Sequence, residues 1–290
     1  MKWWGPTGRT KVCGIIGDPI EHTMSPVMHN TAFKNKGVDY VYLPFRVRKE
    51  ELSKAIEGMR ALNIRGLNIT IPHKVAVIQF LDELDPLADK IGAVNTIVNN
   101  DGVLRGYNTD ATGFLQALCE RGIEPKGKNV VILGAGGASR AISFILAERK
   151  SSLAILNRTW DKAKICADRI SKIFQSETAA LKLNRENLAA ALSQADILVN
   201  ATSVGMSPNV NETPITSNLL RPDLVVFDIV YNPIKTRLRR EAEAAGATVI
   251  SGLDMLVWQG ALAFEKWTGL KAPVELMREE VIKVLQKHED

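Results

Sequence analysis

Residues 128–150, KNVVILGAGGASRAISFILAERK, constrain what this chain can fold into more than any other stretch. A short apolar run rich in β-branched residues enters a glycine turn, and an apolar pattern with helical period follows. Strand, then G-x-G-x-x-small, then helix is the opening unit of a parallel α/β sheet that binds a dinucleotide. Gly134 permits the tight turn and Gly136 lets backbone amides approach a pyrophosphate, with Ala135, Gly137 and Ala138 completing the loop. The helix start then offers unpaired N–H groups and a partial positive charge. Ser139 holds the third small position, where the motif has Gly or Ala, a mild departure.

The following strand, LAILNRT, decides which dinucleotide. An Asp or Glu about 20 residues beyond the glycines would accept from a ribose 2′-OH. Asn157 stands there instead, followed by Arg158, Thr159 and, a turn later, Lys162. A 2′-phosphate needs positive charge and donors, which a guanidinium supplies as a planar fork. The missing acid and the added bases together select NADP over NAD.

Elsewhere strands and helices alternate, which predicts parallel α/β layers. VCGII, YVYLPF and IRGLNIT read as strands, with helices from Pro26 to a stop at Gly37 and from Glu50 to Leu62. AVNTIVNN and VLRGYNT flank Asp101-Gly102, a hairpin with a type I′ turn. DILVNAT, LVVFDIV and ATVISG extend the second, glycine-loop sheet. The closing stretch from DMLVWQGALAFEKWTG is helical without strands of its own and is placed back on the first domain. This gives residues 1–110 and 253–290 as one α/β domain and 111–252 as a Rossmann domain.

Composition excludes several classes. The 290 residues carry 46% hydrophobic and 24% charged side chains, a soluble enzyme's balance. The opening MKWWGPTGRTK reads as a short polar extension without the apolar core of a signal peptide. No apolar run approaches the roughly 18 residues of a membrane span. Cys13, Cys119 and Cys166 are far apart and fit a reducing cytoplasm better than disulfides. His22, His29, His73 and His288 form no ligand pair, so no catalytic metal is expected. The net charge of +5 is spread along the chain, and its densest cluster, Arg237 to Arg240, falls on an amphipathic helix. A solvated helix face explains that cluster better than nucleic acid. No interface announces itself, and a homodimer is the association state entertained.

Three further segments carry candidate chemistry. In HTMSPVMHN, Ser25-Pro26 reads as an N-cap hydroxyl and a proline at N1. Capping alone accounts for Ser25, yet a helix start with two hydroxyls, Thr23 and Ser25, also suits a carboxylate. In NITIPHK, Lys74 falls in the first turn of a helix beginning near Pro72, where the helix dipole disfavours a cation. That hints at a role, against the commoner solvated lysine. In GYNTDATGF, Asp110 sits where an N-cap belongs, which by itself explains it.

NITIPHK, GAVNT, GYNTDATGF, GAGGASR, NRT, NATSVGM and LVWQGALAFEKW, in this order, closely resemble the shikimate dehydrogenase family. The resemblance runs from about Val12 to the C-terminal helices. It implies an α/β substrate domain joined to a Rossmann NADP domain, and reduction of 3-dehydroshikimate to shikimate on the route to chorismate and the aromatic amino acids. By resemblance, Lys74 and Asp110 are the catalytic pair. Thr23 and Ser25 receive the carboxylate, and Thr70, Asn95, Tyr231 and Gln259 complete the substrate pocket. The glycine loop, Asn157, Arg158, Thr159 and Lys162 hold the NADP phosphates, and Thr202, Ser203, Ile229, Gly252 and Met255 the nicotinamide end. Two positions depart from the family: Thr23 replaces the usual serine, and Lys162 stands where many members carry arginine. The rival readings are a quinate/shikimate dehydrogenase preferring NAD, and a non-catalytic NADP-binding sensor on the same scaffold.

Overall fold

In the computed structural model the described residues are 5–176 and 178–289, so the first four residues of the polar N-terminal extension lie outside them. They divide into two compact units: the described residues up to Thr109 with Val257–Val284, and Asp110–Leu256 with the residues from Leu285.

The first unit contains β1 (Lys11–Gly17), α1 (Ser25–Asn35), β2 (Tyr40–Arg46), α2 (Leu52–Ala61) and β3 (Gly66–Ile69). It continues with β4 (Glu83–Leu84), α3 (Pro86–Ile91), β5 (Thr96–Asn100) and β6 (Val103–Tyr107). The sheet order is β2-β1-β3-β5-β6-β4. β1 pairs in parallel with β2 and β3, whereas β5 runs antiparallel to β3 and β6, so the sheet is mixed. At the β5–β6 turn, Asp101 and Gly102 have φ of 51° and 93°, the two positive values that type I′ demands. Ile56 and Met59 of α2 pack with Leu67, Ile69, Ile97 and Leu104 of the strands to form this unit's core.

The second unit begins with α4 (Asp110–Glu120), β7 (Asn129–Leu133), α5 (Gly137–Glu148), β8 (Ser152–Asn157), α6 (Trp160–Phe174) and β9 (Thr178–Lys182). Then come α7 (Arg185–Leu192), β10 (Ile197–Asn200), β11 (Val225–Asp228), α8 (Arg237–Ala244) and β12 (Thr248–Ser251). The chain closes with α9 (Gly252–Thr268) and α10 (Val274–Glu289). The sheet order β12-β11-β10-β7-β8-β9, with every neighbouring pair parallel, is the doubly wound nucleotide-binding arrangement. The strand order reverses between β7 and β10, the topological switch point where such sheets take ligands. β7 is covered on both faces, and so reads as a continuous apolar run rather than an alternating one.

From Val257 onward α9 belongs to the first unit. Trp267 is buried there, and its indole N–H donates to the Ile97 carbonyl at 3.0 Å. Gly66 of β3 is what admits the ring, since any Cβ at that position would run into the indole. Earlier on the same helix, Gly260 leaves room for the Met28 methyl of α1 in the same way. The basic cluster lies on α8, where Arg237 pairs with Glu241 and Arg239 with Glu243, each at 2.7 Å. No described helix is long and apolar enough to cross a membrane.

Candidate active site

The β7–α5 turn is shaped for close approach of a ligand backbone. Gly134 has φ 105°, and a Cβ there would come within 2.8 Å of the Ala201 carbonyl oxygen. Gly136 precedes the helix and nothing lies within 4 Å of where its Cβ would stand. No side chain caps α5, so its first N–H groups face this opening. A Cβ at either glycine would fill or distort the cradle, and uncapped amides with a positive dipole end fit a pyrophosphate.

β8 delivers Asn157 to the same end of the sheet, half-buried, with its amide donating to the Thr159 carbonyl at 2.9 Å. Thr159 precedes α6, and Arg158 and Lys162 stand exposed on either side of it. The strand end itself carries Asn157 rather than an acid, and the exposed Arg158 and Lys162 offer the cations that a 2′-phosphate needs, with Asp161 the one acid in the first turn of α6.

Thr202 and Ser203 follow β10, Ile229 and Tyr231 follow β11, and Gly252 opens α9 directly after β12, with the buried Met255 three residues on. Thr202 is clamped by the buried Asn200, whose side-chain oxygen accepts its N–H at 3.1 Å and its hydroxyl at 2.6 Å. Ile229 donates its N–H to the Asn200 carbonyl at 3.1 Å. Gly252 is pressed on the Ile229 carbonyl so closely that no side chain fits. These residues thus line the carboxyl ends of three adjacent parallel strands.

A second cluster gathers at one end of the first unit's sheet. Thr70, just past β3, donates its N–H to the Ile16 carbonyl at 3.0 Å. The carbonyl of Lys74 accepts the Val94 N–H at 2.8 Å, which anchors the lysine backbone to the residue before Asn95. Asn95 is 2% exposed, and its Oδ1 accepts from the Thr109 N–H at 2.8 Å and from the Thr96 hydroxyl at 3.0 Å. A backbone N–H can only donate, so Thr109 fixes which way the Asn95 amide points. Asn95 Nδ2 is left to face the Thr109 hydroxyl at 2.9 Å and Gln259 Oε1 at 3.5 Å. Asp110 is the residue after Thr109, buried at the head of α4.

Three local expectations are corrected. Ser25 is not an N-cap: it is the first helical residue, Met24 precedes it, and no side chain caps α1. The Thr23 hydroxyl instead accepts the Ser25 N–H at 3.3 Å, a local turn that leaves Ser25 buried. Lys74 is not in a helical first turn; it lies in a turn before the short 3-10 segment Ala76–Phe80, so no helix dipole opposes it. Asp110 heads α4 as a helical residue rather than standing before it.

Sequence reading missed Thr109 and Asn200, the two residues that orient the others. A polar residue closing an apolar strand, as Asn200 closes DILVN, was the available signal. Among the described residues no group of His, Cys, Asp and Glu could hold a metal ion.

Comparison with known proteins points to one family. The chain matches the models of the shikimate dehydrogenase substrate binding domain over residues 15–97 and of shikimate / quinate 5-dehydrogenase over 117–242. It also matches that of the shikimate 5′-dehydrogenase C-terminal domain over 252–282. It is 51% identical over 280 residues to the shikimate dehydrogenase (NADP(+)) of Methanopyrus kandleri, covering 96% of this chain and 97% of that one. A crystal structure of a shikimate dehydrogenase in complex with NADP+ superposes with a TM-score of 0.91 at 44% identity, covering 97% and 98% of the two chains. The shikimate 5-dehydrogenase of Thermus thermophilus in complex with NADP(H) and shikimate gives 0.85 at 37% identity, covering 94% and 99%.

Proposed function

The chain belongs to the shikimate dehydrogenase family, and from that premise we propose how its own residues perform the reaction. It is an NADP-dependent oxidoreductase that reduces 3-dehydroshikimate reversibly to shikimate, in the pathway to chorismate. The observation that carries the reading is the Asn95 cluster: a buried amide held by Thr109, with Gln259 in reach and Lys74 anchored to the adjoining Val94. Such an array of donors suits a small ring bearing several hydroxyls.

When bound, NADPH supplies a hydride to the ketone carbon. Charge then grows on the ketone oxygen, and the Lys74 ammonium stabilises it and delivers the proton. Asp110 orients that lysine. Asn95, Thr70, Gln259 and Tyr231 bind ring hydroxyls, and Thr23 and Ser25 bind the carboxylate. Each such partner excludes simple ketones, which would strand a buried polar group. On the cofactor side, Gly134 to Ala138 carry the pyrophosphate, Asn157, Arg158, Thr159 and Lys162 the 2′-phosphate, and Thr202, Ser203, Ile229, Gly252 and Met255 the nicotinamide half.

The same reading makes residues 1–110 with 253–290 the substrate domain and 111–252 the NADP domain. It includes a cytoplasmic setting, in keeping with the free thiols of Cys13, Cys119 and Cys166. It also includes a homodimer, checked by sedimentation equilibrium. The deciding experiment is turnover of shikimate and of quinate, each with NADP+ and NAD+. Shikimate with NADP+ is expected to be fastest by far. Faster turnover of quinate with NAD+ overturns the substrate assignment, and NADP+ binding without any turnover identifies a sensor.

A further inference from the structure

Asp228 closes β11 as a residue only 2% exposed, and the proposed chemistry does not use it. A buried charge is unfavourable unless its oxygens are held by donors. The Thr236 hydroxyl donates to one oxygen at 2.6 Å. The other accepts the Asn200 side-chain amide at 2.9 Å and the Val230 N–H at 3.2 Å. Burial pushes the Asp228 pKa up, and the bonds from Thr236, Val230 and Asn200 oppose that rise.

An ionised carboxylate only accepts, so it dictates the polarity of its neighbours. Asn200, fully buried, must turn Nδ2 toward Asp228, which points Oδ1 at Thr202. There Oδ1 takes the Thr202 N–H and hydroxyl, and the Thr202 oxygen in turn accepts the Val204 N–H at 3.1 Å. Through Val230 the same carboxylate sets the segment after β11, whose Ile229 carbonyl abuts Gly252. One charge thereby fixes both the segment after β10 and the segment after β11.

We propose that Asp228 is a positioning residue for the nicotinamide half of the cofactor site, acting through Asn200 on Thr202 and through Val230 on Ile229. This rests on the reading that the second unit binds NADP through those residues. Asp228→Asn keeps an oxygen for the Val230 N–H and Asn200 but removes the charge and sets an amide donor against the Thr236 hydroxyl, so the hold on both segments weakens.

The test compares two ligands: NADP+, and adenosine 2′,5′-bisphosphate, which carries the 2′-phosphate but no nicotinamide. Loss of one charge-assisted hydrogen bond corresponds to roughly a tenfold rise in Kd. Asp228→Asn should show that rise for NADP+ and a lower kcat. Its Kd for the bisphosphate should stay within about twofold of wild type. Thr236→Val, which removes the other bond to the carboxylate at nearly constant shape, should move NADP+ binding the same way by a smaller factor, and decides the matter if Asp228→Asn does not fold. Unchanged NADP+ binding, or equal losses for both ligands, overturns the proposal. Wild type that binds neither ligand overturns the NADP reading itself, a result visible without any variant.

Discussion

The hydroxyl of Ser139 donates to the carbonyl of Gly134 at 2.7 Å, and Ser139 is wholly buried. The third small position of the glycine motif is thus not a tolerated blemish, because its hydroxyl braces the carbonyl of the first glycine from inside the helix. Ser139→Ala keeps the small volume and deletes the brace, which should cost about 1–3 kcal/mol by leaving a buried carbonyl unmet. Ser139→Gly should lose that and about 0.5–1 kcal/mol more for glycine within a helix. Urea denaturation of the three proteins checks the order, and an alanine variant as stable as wild type removes the brace from the account.

The Rossmann half was legible because its signals are local: an apolar strand, a glycine turn and a periodic helix lie within one short segment. Arg158 was legible for the same reason, as a strand-end residue at a known offset. β9 and α7 went unread, since Thr178–Lys182 is an edge strand whose residues are half-buried or exposed and carry little hydrophobic contrast. In the substrate half, Ser25, Lys74 and Asp110 were each read against an assumed helix start, and a shift of one or two residues changes what such a start implies. The roles of Thr109 and Asn200 are set by partners brought in by tertiary pairing, Asn95 and Asp228, which no local window contains.

For Lys74, the expectation follows from its proposed place beside the ketone oxygen. Lys74→Ala should lower kcat by about 10²–10⁴, the range for a positioned acid–base group, with a much smaller change in substrate affinity. Steady-state kinetics with equilibrium binding of shikimate separates the two. A variant with near-normal kcat would remove Lys74 from the chemistry.

His29 supplies a pH dependence of stability. Its ring is fully buried and stacks on Tyr42 at 4.4 Å, and burial pushes its pKa from 6.5 down to about 3, with the polar side chain of Asn68 opposing. Between those values the unfolded chain takes up a proton that the folded chain refuses. Stability from this group is therefore complete above about pH 6.5 and declines as the pH falls, by at most about 1.4 kcal/mol per unit. Carboxylates held low by their partners, such as Asp82 and Asp196, lose their contribution only in more acidic solution. Chemical denaturation from pH 7 to 5 should show the decline in wild type and a flatter profile in His29→Phe, whose ring suits the same aromatic surroundings. Parallel slopes in the two proteins would clear His29 of the effect.

The last expectation concerns Arg158, exposed at the end of β8 beside an Asn157 whose amide is already engaged with Thr159. NADPH differs from NADH only in the 2′-phosphate, so discrimination must come from groups around that phosphate. Arg158 offers it charge-assisted hydrogen bonds worth about 1.5–3 kcal/mol each. Arg158→Ala should accordingly raise the Kd for NADPH by roughly 10- to 100-fold and leave NADH almost unaffected. Because the guanidinium is exposed, added salt should weaken NADPH binding to wild type more than it weakens NADH binding, and the gap should shrink in the variant. Lys162, exposed a turn away, should carry part of the remaining preference, so Arg158→Ala with Lys162→Ala should bring the two cofactors closer still. Calorimetric titration of both cofactors into wild type and variants gives the numbers. Equal losses for NADH and NADPH would mean that Arg158 supports the adenosine pocket at large and that the 2′-phosphate is held elsewhere.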